Sequence, residues 1–390
     1  MIRTLLAVTA AREGDVSGAI DDLGMARTAR VALGEILFRA DLDDLGGSYD
    51  EANVTLVLTH GRRELPVTIA VGPDGVAVHE HVRQAKTSDG VPSPVVTQDL
   101  GEVCLALFGP AELVTATTRT IRWPGPEFVC PSPRRPSLPT VFFAVVQRLV
   151  QVLDRQEPAH LAELAVRYGT DKWGAMHQYP QPYERHLAPL RHHRLSVLEI
   201  GVGGFLDPSR AGASLRMWKR YFPRALVYGV DILDKRAADA PRLTTIRADQ
   251  SDVAKMTEVA ERFGPFDVVV DDGSHISDHI ITTFRTLFPH VRADGLYIVE
   301  DLQACYWPEG FQGSDADLND PAYTVGFLKT LLDGLHHQDF LRPDARQPQP
   351  TDAHISSVHV YRNLAVIEKG PNTEDSPVAD LFRARRNGRK

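Results

Sequence analysis

The sequence predicts an α/β protein with a mostly parallel, Rossmann-like sheet that ends in an antiparallel hairpin, preceded by a smaller α+β domain. From Leu195 onward, apolar strand-like runs alternate with helix-like runs, which is typical of a parallel α/β sheet. A proline-dense segment separates this region from an earlier one in which strand-like runs follow one another. The chain has 390 residues, more than one hydrophobic core usually supports, so two domains are expected.

The composition excludes several classes of protein. Apolar residues make up 43% of the chain and charged residues 24%, as in ordinary globular proteins. The formal charge of -8 and the pI near 6.0 argue against a nucleic-acid partner. Three cysteines are too few for a disulfide framework or a zinc site. Arg12, Glu13 and Asp15 interrupt the apolar start before it could serve as a signal or membrane segment, so we expect a cytoplasmic protein without a membrane partner.

Residues 1–125 are predicted to form the smaller domain. Apolar residues at helical spacing indicate a helix over Val31–Leu42. Alternating runs at Asn53–His60 and Leu65–Val82 indicate a small antiparallel sheet, the second run containing its own turn. The segment Asp99–Leu113 is a further amphipathic helix that could cover this sheet.

The connection to the larger domain is assigned to residues 126–160. Proline removes backbone donors and fixes φ, so Arg122–Pro139 is predicted to be an extended linker. A helix over Thr140–Gln156 follows it. The larger domain is then assigned to residues 161–390.

A glycine-rich turn follows the first strand of the larger domain. The run Leu195–Phe205 is an apolar strand with Glu199 near its end, followed by glycines including Gly201 and Gly203. Glycines allow the tight turn and close backbone approach that a nucleotide-like ligand needs. On its own, such a turn is as often a simple turn as a cofactor site.

Polar residues also end the next two strands. Asp231 is placed to accept hydrogen bonds from the hydroxyls of a ribose, and Asp249 and Gln250 suit an adenine amino group. Loops and helix caps also favour aspartate, which is the alternative for each.

The strongest chemical signal is a group of acids at two further strand ends. Asp271 and Asp272 end one strand, and Glu300 and Asp301 end the next. Neighbouring parallel strands bring these ends together, and four close carboxylates repel unless some are protonated or a cation lies between them. Oxygen ligands favour Mg²⁺, with Mn²⁺ as a substitute. One or two of the acids could instead cap helices.

His275 is the preferred general base because it lies beside this acidic group and histidine titrates near neutral pH. It could also be structural or ligate the metal. His279, one helical turn later, and water held by the metal are the alternatives for the base.

Two segments flank the acids in the sequence. Upstream, Thr170 or Lys172 could meet a cofactor carboxylate, and Trp173 and Tyr183 could flank adenosine or sugar, unless this is an aromatic helix that packs on the sheet. Downstream, the polar segment Ala304–Gly326 has the composition of a lid. A final pair of strand-like runs over Ser356–Gly370 predicts the closing antiparallel hairpin.

Many motifs occur in order from about Leu161 to Gly370, namely GTDKWG, YERHL, VLEIGVGG, SLRMWKRYFPR, GVDI, RADQ, FDVVVDDGSH, LYIVEDL, YWP and VHVYRN. Together they resemble the macrolide sugar O-methyltransferases. EILFRA and DLGEVCLALFGP resemble pieces of that family's auxiliary N-terminal domain.

The resemblance implies a class I methyltransferase fold with S-adenosylmethionine as donor, obligatory Mg²⁺, and a deoxysugar hydroxyl on a macrolide or other glycosylated natural product as acceptor. It implies metal ligation by Asp272, Glu300 and Asp301, with His275 as the base beside Asp272. It also implies a homo-oligomer, a tetramer, in which the N-terminal domain helps enclose a neighbouring active site. The residues expected to contact the cofactor are Thr170, Lys172, Glu199, Gly201, Gly203, Asp231, Asp249, Gln250 and Asp271.

Three other functions are weighed against this one. A glycine turn followed by an acid also serves NAD-dependent oxidoreductases, but paired acidic strand ends and a terminal reversed strand do not favour them. A phenol or catechol O-methyltransferase is a second alternative. A non-catalytic scaffold with the same fold is the third, and the intact acids and His275 argue against it.

Overall fold

The computed structural model describes most of the chain in two compact units, Met1–Ala159 and His160–Lys390. The described residues are 1–10, 14–45, 52–79, 93–110, 113, 115–124, 140–155, 160–174, 177–204, 211–342, 344 and 346–387. The predicted proline-dense linker lies almost entirely outside them. No helix among these residues has the length and apolar character needed to cross a membrane.

The first unit contains a five-stranded sheet with the order β3-β2-β1-β4-β5. Its strands are β1 (Ala52–His60), β2 (Arg63–Gly72), β3 (Gly75–His79), β4 (Val95–Asp99) and β5 (Thr120–Arg122). The predicted hairpin around Gly72 and Gly75 is confirmed as the β2–β3 turn. The sheet is mixed rather than purely antiparallel, because β4 adds to β1 in the parallel direction.

Two helices of the first unit begin at a capping aspartate. Asp15 accepts a hydrogen bond from the Gly18 amide at 2.7 Å, and Asp99 accepts one from the Glu102 amide at 3.1 Å, so each satisfies a free amide of the first turn. The helices are α1 (Ile2–Val8), α2 (Val16–Leu23), α3 (Met25–Ala40), α4 (Leu100–Phe108) and α5 (Thr140–Leu153). Helix α5, predicted as part of the connection, buries Phe142, Val145 and Leu149 completely and belongs to this unit.

The second unit contains a seven-stranded sheet with the order β11-β12-β10-β9-β6-β7-β8. Its strands are β6 (Ser196–Ile200), β7 (Leu226–Asp231), β8 (Leu243–Arg247), β9 (Phe266–Asp271), β10 (Val291–Val299), β11 (Ile355–Tyr361) and β12 (Leu364–Lys369). Strands β6 to β10 are parallel, and β11 and β12 form the predicted antiparallel hairpin beside β10. The α/β fold with its terminal hairpin is therefore confirmed.

Two groups of helices pack on the larger sheet. Alternate strand residues such as Leu198, Val269 and Tyr297 form a core with Phe284 and Phe327 on one face, and strand side chains point to opposite faces in turn. The helices are α6 (Leu161–Tyr168), α7 (Pro180–Leu187), α8 (Ala213–Tyr221), α9 (Val253–Phe263), α10 (Ser277–Leu287), α11 (Thr324–Leu335) and α12 (Pro377–Asn387), with a kinked helical turn at Pro308–Phe311. This packing fixes the strand ends that carry the acids.

Candidate active site

The predicted acids meet at the carboxyl edge of three adjacent strands. In the parallel register, Asp271 of β9 is paired with Ile200 of β6 and with Val299 of β10. The chain continues the pairing just beyond the strands, since the Asp272 amide donates to the Ile200 carbonyl and the Glu300 amide to the Asp271 carbonyl, both at 3.0 Å. Acids from separate parts of the sequence therefore converge, as the topology predicts.

The acids form two overlapping clusters rather than one. Asp272, His275 and Asp301 each place a ligand atom within 4.8 Å of the others, and Glu199, Asp272 and Glu300 form a second such group. The first group lines a cavity. In the second, Glu199 and Glu300 are buried, and Asp272 belongs to both groups.

Lys172 occupies the middle of the buried cluster. Its Nζ lies 2.7 Å from Glu300 Oε1, 2.8 Å from Asp272 Oδ2 and 3.3 Å from Glu199 Oε1, and its side chain is 1% exposed. Burial opposes a charged ammonium, but the three carboxylates outweigh that effect and raise the pKa of Lys172 well above its usual value. The structure thus places Lys172 among the acids and not at the cavity wall, where contact with a cofactor carboxylate was predicted.

Burial also shifts the acids around this lysine. It raises the pKa of Glu199 to about 7 despite the opposing effect of Lys172, and it raises the pKa of Glu300 well above the ordinary value, with Asp272 adding to that shift. Ser214 donates to Glu199 Oε2 at 2.7 Å, and the Tyr183 hydroxyl donates to Glu300 Oε1. Hydroxyl and ammonium donors of the protein therefore offset the free-energy cost of burying these acids.

Asp271 is separated from the cavity. It is 1% exposed, accepts hydrogen bonds from Gln250 Nε2 and the Tyr297 hydroxyl at 3.2 Å each, and has its pKa raised by burial to about 7. This placement differs from the predicted contact with the cofactor. Successive side chains of a strand point to opposite faces of the sheet, and that of Asp271 points into the core.

The open cluster has donors aimed at Asp301. Tyr179 donates its hydroxyl to Asp301 Oδ1 at 2.6 Å, His177 Nδ1 lies 3.4 Å from the same oxygen, and His275 Nε2 lies 3.5 Å from Asp301 Oδ2. Both His275 and Asp301 have left-handed backbones, with φ of 58° and 51°, a conformation that costs energy outside glycine and is concentrated at functional sites.

This open cluster fits a hard divalent cation. Asp272 and Asp301 supply carboxylate oxygens beside His275, whose Nδ1 is buried and has no hydrogen-bond partner among the described residues. Carboxylates with room for further ligands suit Mg²⁺. Lys172 lies in the buried cluster and contacts the open one through Asp272 Oδ2.

The cavity beside the open cluster has a volume of about 1010 Å³, enough for a drug-sized ligand. It is lined by six of the nine residues predicted to contact the cofactor, namely Thr170, Gly201, Gly203, Asp231, Asp249 and Gln250. Asp272, His275 and Asp301, predicted for the metal and the chemistry, also line it. Lys172, Glu199, Asp271 and Glu300 are not among its lining residues.

The glycine turn provides the floor of this cavity. Gly201 has φ of 90°, and a Cβ placed there would lie 2.0 Å from the Asp272 carbonyl oxygen. Gly203 has φ of 69°, and nothing lies within 4 Å of a Cβ placed on it. Glycine is therefore required at position 201, because two strand ends approach each other closely there. Gly203 instead turns the backbone beside open space.

The polar residues at the ends of β7 and β8 already accept hydrogen bonds from neighbouring residues. Asp231 accepts the Val202 amide at 3.1 Å and the Leu233 amide at 2.8 Å, and a carboxylate retains further acceptor positions. Asp249 accepts the amide and hydroxyl of Ser251.

The side-chain amide of Gln250 is used within the protein. Its nitrogen donates to Asp271 and to Thr283 Oγ1, and its oxygen accepts the Ser274 amide at 2.7 Å. This arrangement differs from the predicted adenine contact, because all the donors of the amide already have acceptors. Gln250 instead fixes the turn between Asp272 and His275.

Aromatic residues upstream of β6 divide between the two clusters. Trp173 is 43% exposed and lines the cavity, where contact with adenosine or sugar stays a prediction. Tyr183 is buried against Glu300. Tyr179, which donates to Asp301, was missed by sequence reasoning. Its position between His177 and Tyr183 in a polar aromatic run was the available signal.

The other histidine and the predicted lid also reach the site. His279 lines the cavity, and its Nδ1 lies 2.9 Å from Ser274 Oγ. In the downstream segment, the Phe311 ring lies 6.1 Å from the His275 ring and 5.8 Å from the half-exposed Trp307 ring. Two aromatic rings of the predicted lid thus lie next to the candidate base.

We expect Gly201→Ala to destabilise the protein by about 3 kcal/mol or more, because the methyl group would overlap the Asp272 carbonyl in a backbone conformation that already disfavours alanine. Gly203→Ala is the matched control, since it carries only the conformational cost of about 1 to 2 kcal/mol. Urea unfolding of the ligand-free proteins measures both. Equal losses would show that the close approach to Asp272 does not constrain Gly201.

Comparisons with known proteins agree with this architecture. The family model described as MycE methyltransferase N-terminal matches residues 2–119. The chain is 47% identical over 320 residues to the 8-demethyl-8-alpha-L-rhamnosyl tetracenomycin-C 2'-O-methyltransferase of Streptomyces olivaceus, covering 82% of this chain and 81% of the relative. It is 38% identical to the demethylmacrocin O-methyltransferase of Streptomyces fradiae, covering 96% of this chain and 92% of the relative.

A solved structure matches nearly the whole chain. The MycE methyltransferase from the mycinamycin biosynthetic pathway, in complex with Mg and SAH, superposes with a TM-score of 0.84 at 31% identity, covering 99% of this chain and 98% of that one. A second structure of that enzyme, with Mg, SAH and mycinamycin VI, superposes with a TM-score of 0.82 at 31% identity, covering 98% of each chain.

Proposed function

This chain belongs to the deoxysugar O-methyltransferases of antibiotic biosynthesis, and we propose that it moves a methyl group from S-adenosylmethionine to a hydroxyl of a rhamnose-like sugar on a macrolide or other glycosylated natural product. The observation that carries the proposal is the open cluster of Asp272, His275 and Asp301 at the wall of a cavity of about 1010 Å³. A donor and an acceptor can meet there beside a cation.

The cavity residues supply the cofactor contacts in this proposal. Gly201 and Gly203 allow the backbone to approach the donor, Asp231 accepts from the ribose hydroxyls, and Asp249 and Thr170 line the remaining wall. Glu199, Lys172 and Asp271 act behind this surface by holding the strand ends in place. Gln250 lines the cavity, but its side-chain amide is used by Asp271 and Ser274.

Asp272, Glu300 and Asp301 are proposed to hold Mg²⁺. Glu300 is gripped at Oε1 by Lys172 and Tyr183, and Asp301 at Oδ1 by Tyr179, in the way that outer hydrogen bonds orient ligating carboxylates. When bound, Mg²⁺ makes the acceptor hydroxyl more acidic and orients it toward the donor.

His275 takes the proton of the acceptor hydroxyl in this mechanism. The oxygen forms a bond to the methyl carbon while the carbon–sulfur bond breaks, and S-adenosylhomocysteine leaves. The imidazolium that results has its Nε2 3.5 Å from Asp301 Oδ2, so the carboxylate stabilises the new positive charge.

We expect His275→Ala to lower kcat by roughly a hundredfold or more, since a positioned general base contributes that much. Binding of S-adenosylhomocysteine, measured by calorimetry, should change little. His279→Ala is the matched control because His279 lies on the same cavity and is tied to Ser274. If His279→Ala lowered kcat more than His275→Ala, the base would be His279.

The function is tested with labelled S-adenosylmethionine and a panel of rhamnosylated natural products, with Mg²⁺ or with EDTA. We expect methyl incorporation with at least one glycosylated acceptor, only when Mg²⁺ is present. Full incorporation in EDTA, or incorporation into catechols but not sugars, would contradict the proposal.

A binding measurement separates the proposal from an NAD-dependent oxidoreductase. S-adenosylhomocysteine at about one hundred times its Kd should stabilise the fold by about 2.7 kcal/mol, while NAD should not. Stabilisation by NAD alone would overturn the assignment of the cavity.

We further infer that the chain works in the cytoplasm as a homo-oligomer, a tetramer by analogy with the family it resembles. Light scattering of the full chain tests the assembly, and a monomer at micromolar concentration would contradict it.

A further inference from the structure

Two histidines and a glutamate meet outside the cavity, between helix α7 and the terminal hairpin. His186 of α7, His359 of β11 and Glu368 of β12 each place a ligand atom within 4.8 Å of the others, and none of them lines the cavity. The two imidazole rings are 4.6 Å apart between centroids. The side chain of His186 is 6% exposed, while those of His359 and Glu368 are 40% and 37% exposed, so a small ion has access.

The separations within this group are those of shared ligands rather than of hydrogen bonds. Glu368 Oε1 lies 3.7 Å from His186 Nδ1 and 3.6 Å from His359 Nε2, both longer than a normal hydrogen bond. Four ligands about 2.0 to 2.1 Å from a tetrahedral zinc are roughly 3.3 Å from one another. Glu368 Oε1 is therefore within a few tenths of an ångström of this spacing to each nitrogen, and the two histidine nitrogens lie within 4.8 Å of each other.

Neighbouring groups already orient two of the three donors. His186 Nε2 is 2.9 Å from the Tyr361 hydroxyl, so the ring can donate from Nε2 and keep a lone pair on Nδ1. Ser357 donates to Glu368 Oε2 at 2.6 Å and so orients the carboxylate. Its Oγ also lies 3.0 Å from His359 Nε2, a contact that an ion bound to this nitrogen would replace. Outer contacts of this kind fix the tautomer and orientation of metal-ligating histidines and carboxylates.

The donor atoms of the group indicate which ion it would take. Two imidazole nitrogens and one carboxylate oxygen suit Zn²⁺, whereas Mg²⁺ prefers all-oxygen sites.

We propose that His186, His359 and Glu368 form a second metal site, which takes Zn²⁺ with water as the fourth ligand. The ion joins α7 to the hairpin of β11 and β12. Helix α7 carries Tyr183, which donates to Glu300, and β12 pairs with β10, which leads into Glu300. The zinc site is thus structural, and it stabilises the connection between two elements that support the acidic strand ends.

The test uses the full chain without a histidine tag, titrated with Zn²⁺ against a chromophoric chelator in excess Mg²⁺. We expect the wild-type protein to bind one more equivalent of Zn²⁺ than His359→Ala, with the affinity of this site falling at least about a hundredfold in the variant. The Asp301→Asn variant, altered only at the cavity cluster, should keep the additional equivalent. Equal stoichiometry in the wild type and His359→Ala overturns the proposal.

A milder substitution and a control keep the result interpretable. Ser357→Ala leaves all three ligands in place and should weaken Zn²⁺ binding about 10 to 100-fold. His336→Ala is the matched control. His336 is an exposed histidine 3.8 Å from Asp339. Among the described residues, this pair is not part of any group of three that could hold a metal. Cobalt bound in place of zinc should show the visible absorption of a tetrahedral site in the wild type and in His336→Ala. Loss of that absorption in His336→Ala, or its persistence in His359→Ala, contradicts the assignment.

Discussion

Asp301→Asn should lower Mg²⁺-dependent methyl transfer by more than about a hundredfold while S-adenosylhomocysteine binds within about threefold of wild type. The substitution keeps the size of the side chain and an acceptor for the Tyr179 hydroxyl, but it removes a negative charge from the open cluster. A metal that stabilises developing charge contributes several kcal/mol, and each 1.36 kcal/mol corresponds to tenfold in rate. Steady-state kinetics across a Mg²⁺ titration, with calorimetry for the cofactor product, measure the two effects.

Asp278→Asn is the matched control for this substitution. Asp278 is an exposed acid in the first turn of α10, close in sequence to His275, and it does not line the cavity. Its replacement should leave kcat and the Mg²⁺ dependence unchanged. If Asp301→Asn retained full activity at low Mg²⁺, the open cluster would not be the cation site.

A Glu300→Gln variant tests the third proposed ligand by a readout other than activity. If Glu300 holds the ion, the affinity for Mn²⁺ measured by electron paramagnetic resonance should fall in Glu300→Gln and stay near wild type in His275→Ala. If the affinity for Mn²⁺ fell in His275→Ala and not in Glu300→Gln, His275 would be the third ligand of the open cluster.

The second large effect is expected from Lys172→Met. Removing the ammonium leaves Glu199, Asp272 and Glu300 without the cation that now lies within 3.3 Å of each. Breaking a buried ion pair on one side typically costs about 3 to 5 kcal/mol, a large fraction of the stability of most proteins. Urea unfolding in EDTA measures the loss, and an unchanged midpoint would contradict the compensating role of Lys172.

An exposed pair provides the comparison. Lys255 and Glu258 lie 2.8 Å apart with side chains 58% and 60% exposed, so Lys255→Met should leave the midpoint of urea unfolding nearly unchanged. Because Lys172→Met could fail to fold, the double variant Lys172→Met with Glu300→Gln removes one charge from each side. It should recover part of the stability, and no recovery would show that the loss arises from packing alone.

The sequence pattern predicts which acids share an edge but not how they divide. Strand ends can be located because Asp271, Asp272, Glu300 and Asp301 each follow an apolar run, and parallel pairing brings such ends together. Side-chain direction then separates them, since Glu300 faces Lys172 and Asp301 faces Tyr179. The sequence does not show that the side chains of these two neighbouring residues point in different directions, because the direction depends on the left-handed backbone of Asp301.

The roles of Lys172 and Gln250 were unpredictable for a related reason. Lysine and glutamine near a cofactor cavity suit direct contact with a ligand, yet here the ammonium and the amide are used by buried acids and backbone. Those partners lie far away in the sequence, and burial determines which contact is stronger. Residues that face open space, such as Gly203, Asp231 and Trp173, lie where their motifs predict.

The position of Lys172 ahead of the strands has a consequence for synthesis of the chain. Lys172 precedes Asp272 by 100 residues and Glu300 by 128, so the ribosome releases the counter-charge before it releases the acids. At ordinary rates of elongation the interval is on the order of ten seconds. Lys172 has therefore already been synthesised when the last acidic strand becomes available to dock against its neighbours.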